Sequence, residues 1–334
     1  ARAIDSGINY IDTSICYGDS ELVIGRALQQ RSDLRDKLII ATKWDAGAGW
    51  PKDRILASLD KSLARLGTKH IDIMQIHWLG GGHMRPDTGF NRLDNDELYR
   101  AMDAAKKSGK VKFFGATSHA SNRAAVLGHA IDKGAFDMIL VKMNPLEFGD
   151  ADIPKLLAKA HAKDVGVVAM KSQPSGGAMP EGFDKSKWSV YQANLRWALS
   201  HEVATVVQSA IATDAKSQDA AIEAGRAKLS RSDEQLLERY AAALSPQHCR
   251  GCGDICEASC PAQVAIGHVL QFHMYEHRYG GAFRARARQH YAALRPEQRF
   301  DDRCLSCDVC SEACPFGVDA AGRVREARLL ALSS

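Results

Sequence analysis

"INYIDTSICYGDSELVIGRALQQ", Ile8 to Gln30, decides how the first two thirds of the chain read. Its first part, "INYIDTS", is a short apolar β-branched run and predicts a strand. Its second part, "SELVIGRALQQ", has a helical pattern. The same pair recurs as far as Ala210. "KLIIATK", "HIDIMQIHW", "VKFFGATS", "FDMILVKMN", "GVVAMKS" and "VATVVQSA" read as strands. Helices fall between them, beginning with "PKDRILASLDKSLARLG", which has proline in its first turn, and ending with "DAKSQDAAIEAGRA". Continuous apolar strands alternating with helices predict a parallel sheet covered on its faces.

Seven such strands are countable. The chain opens on "ARAIDSG", which reads as the last turns of a helix with its glycine stop, so a further strand is expected before it. Seven plus one gives an α/β fold, a (β/α)8 TIM barrel. The competing fold, an open doubly wound sheet, usually carries a Gly-rich dinucleotide loop after a strand, and no G-x-G-x-x-G is present.

The chain has 334 residues, enough for one large domain and a small one. The alternation stops after Leu244, and "SPQHC" reads as a linker. The expected division is a barrel over residues 1–244 and a small α-rich domain over 245–334. A net charge of +4 is too weak to argue for nucleic acid. No apolar run is long enough for a transmembrane helix. Eight of the nine cysteines sit in the last third, at C-x-x-C spacings that suit metal ligation better than a disulfide framework. The ninth, Cys16, is expected to be a small buried hydrophobe.

Barrel chemistry sits where strands end. Asp12 closes "INYID", Lys43 closes "KLIIATK", His77 closes "DIMQIH", and Tyr17 follows Asp12 on the next loop. An acid, a base, an imidazole and a phenol thus surround one mouth. Singly, a strand-end Asp more often caps a helix, and a lone Tyr or His more often packs. Together the four suit carbonyl chemistry, in which a hydride reaches carbon and a proton must follow to oxygen. Lys43 is expected to lower the pKa of Tyr17, ordinarily about 10. Asp12 would hold Lys43, and His77 would orient the carbonyl oxygen.

The last third contains an internal repeat, "HCRGCGDICEASCP" and "CLSCDVCSEACP". Cys304, Cys307, Cys310 and Cys314 follow C-x2-C-x2-C-x3-C-P, the bacterial ferredoxin run for a [4Fe-4S] cluster. Cys249, Cys252, Cys256 and Cys260 repeat it with one extra residue between the second and third cysteines. In that pattern the fourth cysteine ligates the other cluster. One cluster would take Cys249, Cys252, Cys256 and Cys314, and the other Cys304, Cys307, Cys310 and Cys260. Structural zinc is the competing reading of paired C-x2-C motifs. Between the repeats, "HMYEH" matches H-x-x-E-H of some zinc proteases, but packing is the favoured reading there. Arg284, Arg286 and Arg288 form a basic stretch that would be solvated or would dock an acidic electron-transfer partner.

The stretches "GINYIDTSICYGDSELVIGRAL", "IIATKW" and "DIMQIHW" resemble the aldo-keto reductase superfamily over about the first 240 residues. The whole chain resembles aldo-keto reductases with a C-terminal 4Fe-4S domain. The resemblance implies an Asp12–Tyr17–Lys43–His77 tetrad with Tyr17 as proton donor. It also implies NADPH or NADH as cofactor, with the nicotinamide held by Ser118 and His119. Family members often have Ser-Asn at that place. Leu140, with Lys142 nearby, stands where a glutamine is common. Met170 and Lys171 stand where a tyrosine stacks, and Gln208-Ser209 replaces the usual Pro-Gly. Lys216 is a candidate partner for a 2′-phosphate, though a solvated helix lysine is the plainer reading.

The implied function is NAD(P)H-dependent interconversion of a carbonyl and an alcohol, coupled to two [4Fe-4S] clusters for electron transfer. The alternative is a non-catalytic barrel carrying clusters for a larger complex. The implied partners are a small carbonyl or alcohol substrate and a protein electron donor or acceptor. The expected compartment is the cytoplasm, with folded export by a preceding twin-arginine signal as the alternative.

Overall fold

A computed structural model describes residues 2–44, 46–80, 89–120, 122–149, 152–174, 180–183, 188–207, 215–278 and 282–328. The chain divides into two compact units, residues 1–173 with 191–234, and residues 174–190 with 235–334.

The first unit holds one sheet of β1 (Tyr10–Asp12), β2 (Ile39–Trp44), β3 (Ile71–Ile76), β4 (Val111–Ser118), β5 (Met138–Lys142), β6 (Gly166–Met170) and β7 (Thr205–Val207). The strands pair in chain order, and every pair is parallel. Helices Ser20–Gln30, Lys52–Leu66, Asp96–Lys107, Arg123–Asp132, Ile153–Ala162 and Ser189–Leu199 connect them. This is the (β/α) barrel arrangement that the alternation predicts, with β1 and β7 as the outer strands of the described sheet.

Successive residues of a strand face opposite sides, and this sorts the core. One large cluster includes Ile40, Met74, Ile76, Ile139 and Val141 with helix residues such as Ile55, Leu59 and Leu66. A smaller cluster, Met138, Leu140, Val168 and Met170 with Tyr10, Ile73 and Val207, comes from strands alone. The row Lys43–Gln75–Gly115–Met138–Gly166 crosses five strands in register. A Cβ on Gly115 would lie 2.4 Å from Met138 Sδ and 2.9 Å from Gln75 Cγ, so the absent side chain makes room for both.

Three details depart from the sequence reading. Pro51 stands just before helix Lys52–Leu66, at its N-cap, not within its first turn. A further helix, Arg231–Leu244, follows the last expected one. Its start is fixed by reciprocal bonds: Asp233 N donates to Ser230 Oγ (3.2 Å) and Ser230 N to the Asp233 carboxylate (2.9 Å). Cys16 is exposed, not buried.

In the second unit, helices Ile266–Arg278, Ala282–Ala293 and Ala320–Ala327 surround a core that includes Val264, Val269, Phe272, Tyr291, Val318 and Val324. Among the described residues, no helix is long and apolar enough to cross a membrane.

Candidate active site and cysteine pockets

Three adjacent strands bring the predicted side chains together at their C-terminal ends. Asp12 ends β1, Lys43 is the penultimate residue of β2, and His77 follows β3. Lys43 is almost fully buried, at 1% exposure. Its Nζ donates to Asp12 Oδ2 at 2.5 Å and to the Thr13 carbonyl at 2.7 Å. Burial pushes the Lys43 ammonium below its ordinary value, and the Asp12 carboxylate opposes that shift. A buried lysine without such a partner would be strongly disfavoured as a cation.

Tyr17 stands over this pair. Lys43 Nζ lies 4.7 Å from the centroid of its ring. The Tyr17 hydroxyl is 3.4 Å from His77 Nε2, and the two rings meet edge to face. His77 Nδ1 is 3.2 Å from Ser14 Oγ, which accepts from Cys16 N. The four residues named from the sequence therefore lie side by side.

The electrostatics at Tyr17 run against the expectation. Tyr17 exposes 45% of its surface, yet desolvation, and then the negative charge of Asp12, push its phenol above the ordinary value. Lys43 approaches the ring face and spends two hydrogen bonds elsewhere, so it does not pull the pKa down. The phenol is held in its protonated form.

Gln75 was not legible as a site residue. Its Nε2 donates to Asp12 Oδ1 at 2.8 Å, and its Oε1 accepts from Thr117 Oγ1 at 2.8 Å. The signal was available: in "DIMQIH" the glutamine is polar within a buried strand and two residues before His77, on the same face. Arg92 is a second missed residue. It is buried, and its guanidinium donates to the carbonyls of Ala46 (2.6 Å), His77 (2.7 Å) and Trp78 (3.1 Å). It pins the chain where it leaves β3, at Trp78 with φ 53°.

The residues implied for a nicotinamide are placed differently from one another. Ser118 is fully buried, and its hydroxyl donates to the Leu79 carbonyl at 2.6 Å while accepting from Ala120 N at 3.3 Å. It shapes the loop and faces away from solvent. His119 is half-buried. Leu140 belongs to the apolar strand cluster, and Lys216 is exposed on its helix. Lys142 pairs with Glu147 at 2.8 Å, and Arg123 joins Glu147 at 3.3 Å. Lys171 follows β6, where desolvation and then the charge of Lys142 push its ammonium down to about 8. The ends of β5 and β6 are thus cationic. Gln208, Ser209, and residues 81–88 of the loop after His77 lie outside the described residues, as does the Arg286 side chain.

In the second unit the cysteines form two groups. Cys260, Cys304, Cys307 and Cys310 line one pocket, walled by residues such as Val264, Ile266 and Val324. Cys249, Cys252, Cys256 and Cys314 line another with Leu270, Phe316 and Val318. Each group takes its fourth cysteine from the other run. Burial and neighbouring cysteines push the Cys256 thiol up to about 12 and Cys310 to about 11. Four thiolates in such apolar walls need a compensating cation. Four cysteines in each pocket are the ligand count that either a [4Fe-4S] cluster or a structural zinc takes.

Comparison with known proteins agrees with both halves. Residues 1–187 match the model of the aldo/keto reductase family, and residues 248–318 match a 4Fe-4S dicluster domain. A 6-dehydroglucose reductase of Novosphingobium aromaticivorans is 34% identical over 139 residues, 38% of this chain and 42% of that protein. An L-galactose dehydrogenase of Arabidopsis thaliana is 29% identical over 188 residues, 54% of this chain and 56% of that one. The chain thus spans about half the length of the curated relatives it matches. Among solved structures, an aldo-keto reductase from Bacillus halodurans in its holo form superposes with TM-score 0.53 at 23% identity, covering 71% of this chain and 84% of that one. A silkworm aldo-keto reductase complexed with NADPH gives 0.52 at 21%, covering 71% and 75%. The parallel barrel, its strand-end residues and a family match over more than half its length agree: the chain belongs to the aldo/keto reductase family.

Proposed function

We propose that the barrel interconverts a carbonyl and an alcohol with a nicotinamide coenzyme, and that the cysteine pockets hold two [4Fe-4S] clusters. The observation that carries the first part is the contact series Asp12–Lys43–Tyr17–His77 at one barrel mouth. Tyr17 is the proton donor, and its raised pKa keeps the proton on the phenol until a carbonyl oxygen gains negative charge. His77 orients that oxygen. A hydroxyl of Ser14 donating to His77 Nδ1 would leave Nε2–H as the donor to the carbonyl oxygen. Lys43 supplies positive charge beneath the ring, and Asp12 with Gln75 fixes its position.

A bound nicotinamide would supply hydride at carbon. His119, Lys142 and Lys171 would meet the anionic nucleotide, while Ser118 holds the loop. The crossed cysteine sets would hold the clusters, which carry electrons singly. A hydride brings two electrons, so two clusters match one turnover, with the barrel reaction or a protein partner at the other end.

Carbonyl reduction by the full, cluster-loaded protein and its Tyr17→Phe variant tests the catalytic reading. Loss of the proton donor should lower kcat by about 10²-fold or more. Equal rates would favour the second reading, a non-catalytic barrel carrying clusters for a larger complex, to which the departures at Leu140 and Lys171 point.

A further inference from the structure

Outside both sites, one group of side chains is arranged as a metal ligand set. His273 and His277 lie one turn apart on helix Ile266–Arg278 and so share a face. Their ring centroids are 4.3 Å apart. Glu326, on helix Ala320–Ala327, places a carboxylate oxygen 2.6 Å from His273 Nε2. The ligand atoms of all three lie within 4.8 Å of one another.

We propose that His273, His277 and Glu326 bind a divalent cation of the zinc class, separate from the cysteine pockets. Two imidazoles and one carboxylate are a preferred donor set for such an ion. Bonds of about 2.0–2.1 Å in tetrahedral geometry place ligand atoms roughly 3.3 Å apart. The 2.6 Å between His273 and Glu326 would open toward that value, and separations of up to 4.8 Å within the group would close toward it. His273 is the fixed member, with 13% of its side chain exposed, and Glu326, at 63%, is free to adjust. The cation takes the place of the proton shared between His273 and Glu326. The fourth position is left to water.

The site binds but does not hydrolyse. In H-x-x-E-H the glutamate would be the general base, but Glu276 is held by Arg288 at 2.6 Å and approached by Arg284 at 3.9 Å. Arg284 keeps 54% of its side chain exposed and Arg288 34%. Glu326 supplies the carboxylate from a second helix. One ligand helix follows the first cysteine run in sequence, and the other follows the second. The ion therefore ties together the two halves of this unit. Arg323 lies close enough to oppose a dication electrostatically, which favours reversible binding.

The test is calorimetric titration of ZnCl2 into the full, cluster-loaded, zinc-free protein without oxygen, with iron content measured before and after. The expected result is one zinc per chain with no loss of iron. Loss of a mere supporting contact in a metal site costs about tenfold in affinity, so His277→Ala and the isosteric Glu326→Gln should each weaken binding by at least that. Zinc should also raise the thermal midpoint of the parent protein by more than that of either variant. Absence of one-to-one binding, binding unchanged in both variants, or zinc uptake matched by iron loss would each overturn the proposal.

Discussion

A phenol with an ordinary pKa of about 10 is protonated at neutral pH, and desolvation with the Asp12 charge pushes Tyr17 further that way. The two directions of a carbonyl–alcohol reaction should then differ with pH. Reduction needs the protonated phenol, so its kcat should stay level from about pH 6 to 9. Oxidation needs the phenolate, whose fraction grows tenfold per pH unit below the pKa, so its rate should climb with alkalinity. Measuring both profiles checks it, and a reduction rate that fell steadily across that range in both the parent and a Tyr17→Phe variant would contradict Tyr17 as donor. Gln75 yields a second prediction. Gln75→Leu leaves the Asp12 and Thr117 partners of its amide unsatisfied, at a cost of about 1–3 kcal/mol in stability by denaturant unfolding. The tetrad was legible because strand ends announce themselves in sequence. The direction of the Tyr17 shift was not, because it depends on whether Lys43 meets the hydroxyl or the ring face.

Helix Ser20–Gln30 packs closely enough that a Cβ on Gly25 would lie 2.4 Å from the Arg65 carbonyl oxygen. Gly25→Ala should therefore lower stability by about 1–3 kcal/mol, although alanine is the better helix former. A neutral or stabilising outcome in thermal unfolding would show that the backbone yields there. The same helix carries Glu21, fully buried, which accepts from Thr42 Oγ1 at 2.7 Å and Arg65 Nε at 3.0 Å. These contacts secure the segment between Asp12 and Lys43. The strands were read from composition with small errors at their ends, since apolar β-branched runs flanked by polar turns leave little choice. Helix Arg231–Leu244 was missed because its polar face outweighs a sparse apolar stripe, even though Ser230 and Asp233 mark its start. At the cysteine runs, the crossed grouping makes Cys314→Ser a selective lesion. It should reduce iron from about eight per chain toward about four, removing the cluster of Cys249, Cys252 and Cys256 and sparing that of Cys304, Cys307 and Cys310. Electron paramagnetic resonance after partial reduction would distinguish them, and loss of the local group instead would contradict the crossing.

The whole chain joins an aldo/keto reductase barrel to a 4Fe-4S dicluster domain, for which we propose two-electron hydride chemistry and one-electron transfer. Its sequence announces both halves, because strand–helix alternation and cysteine spacing are written locally. The division at residue 244 was drawn where the alternation fades, whereas compactness groups residues 174–190 with the later unit, an association between distant stretches that no local pattern encodes. The departures near Leu140, Lys142 and Lys171 were visible as letters, but their cationic character at the barrel mouth needed the fold. If Lys171 meets an anionic nucleotide, Lys171→Met should raise the coenzyme KM several-fold with a smaller change in kcat, a split read from steady-state kinetics. The most direct measurement is visible absorbance of the full, cluster-loaded protein on addition of NADPH without oxygen. Bleaching of the iron–sulfur band is the predicted result, since it requires a bound nicotinamide and electron passage to the clusters. Clusters that bleach with dithionite but stay unchanged with NADPH would contradict that coupling.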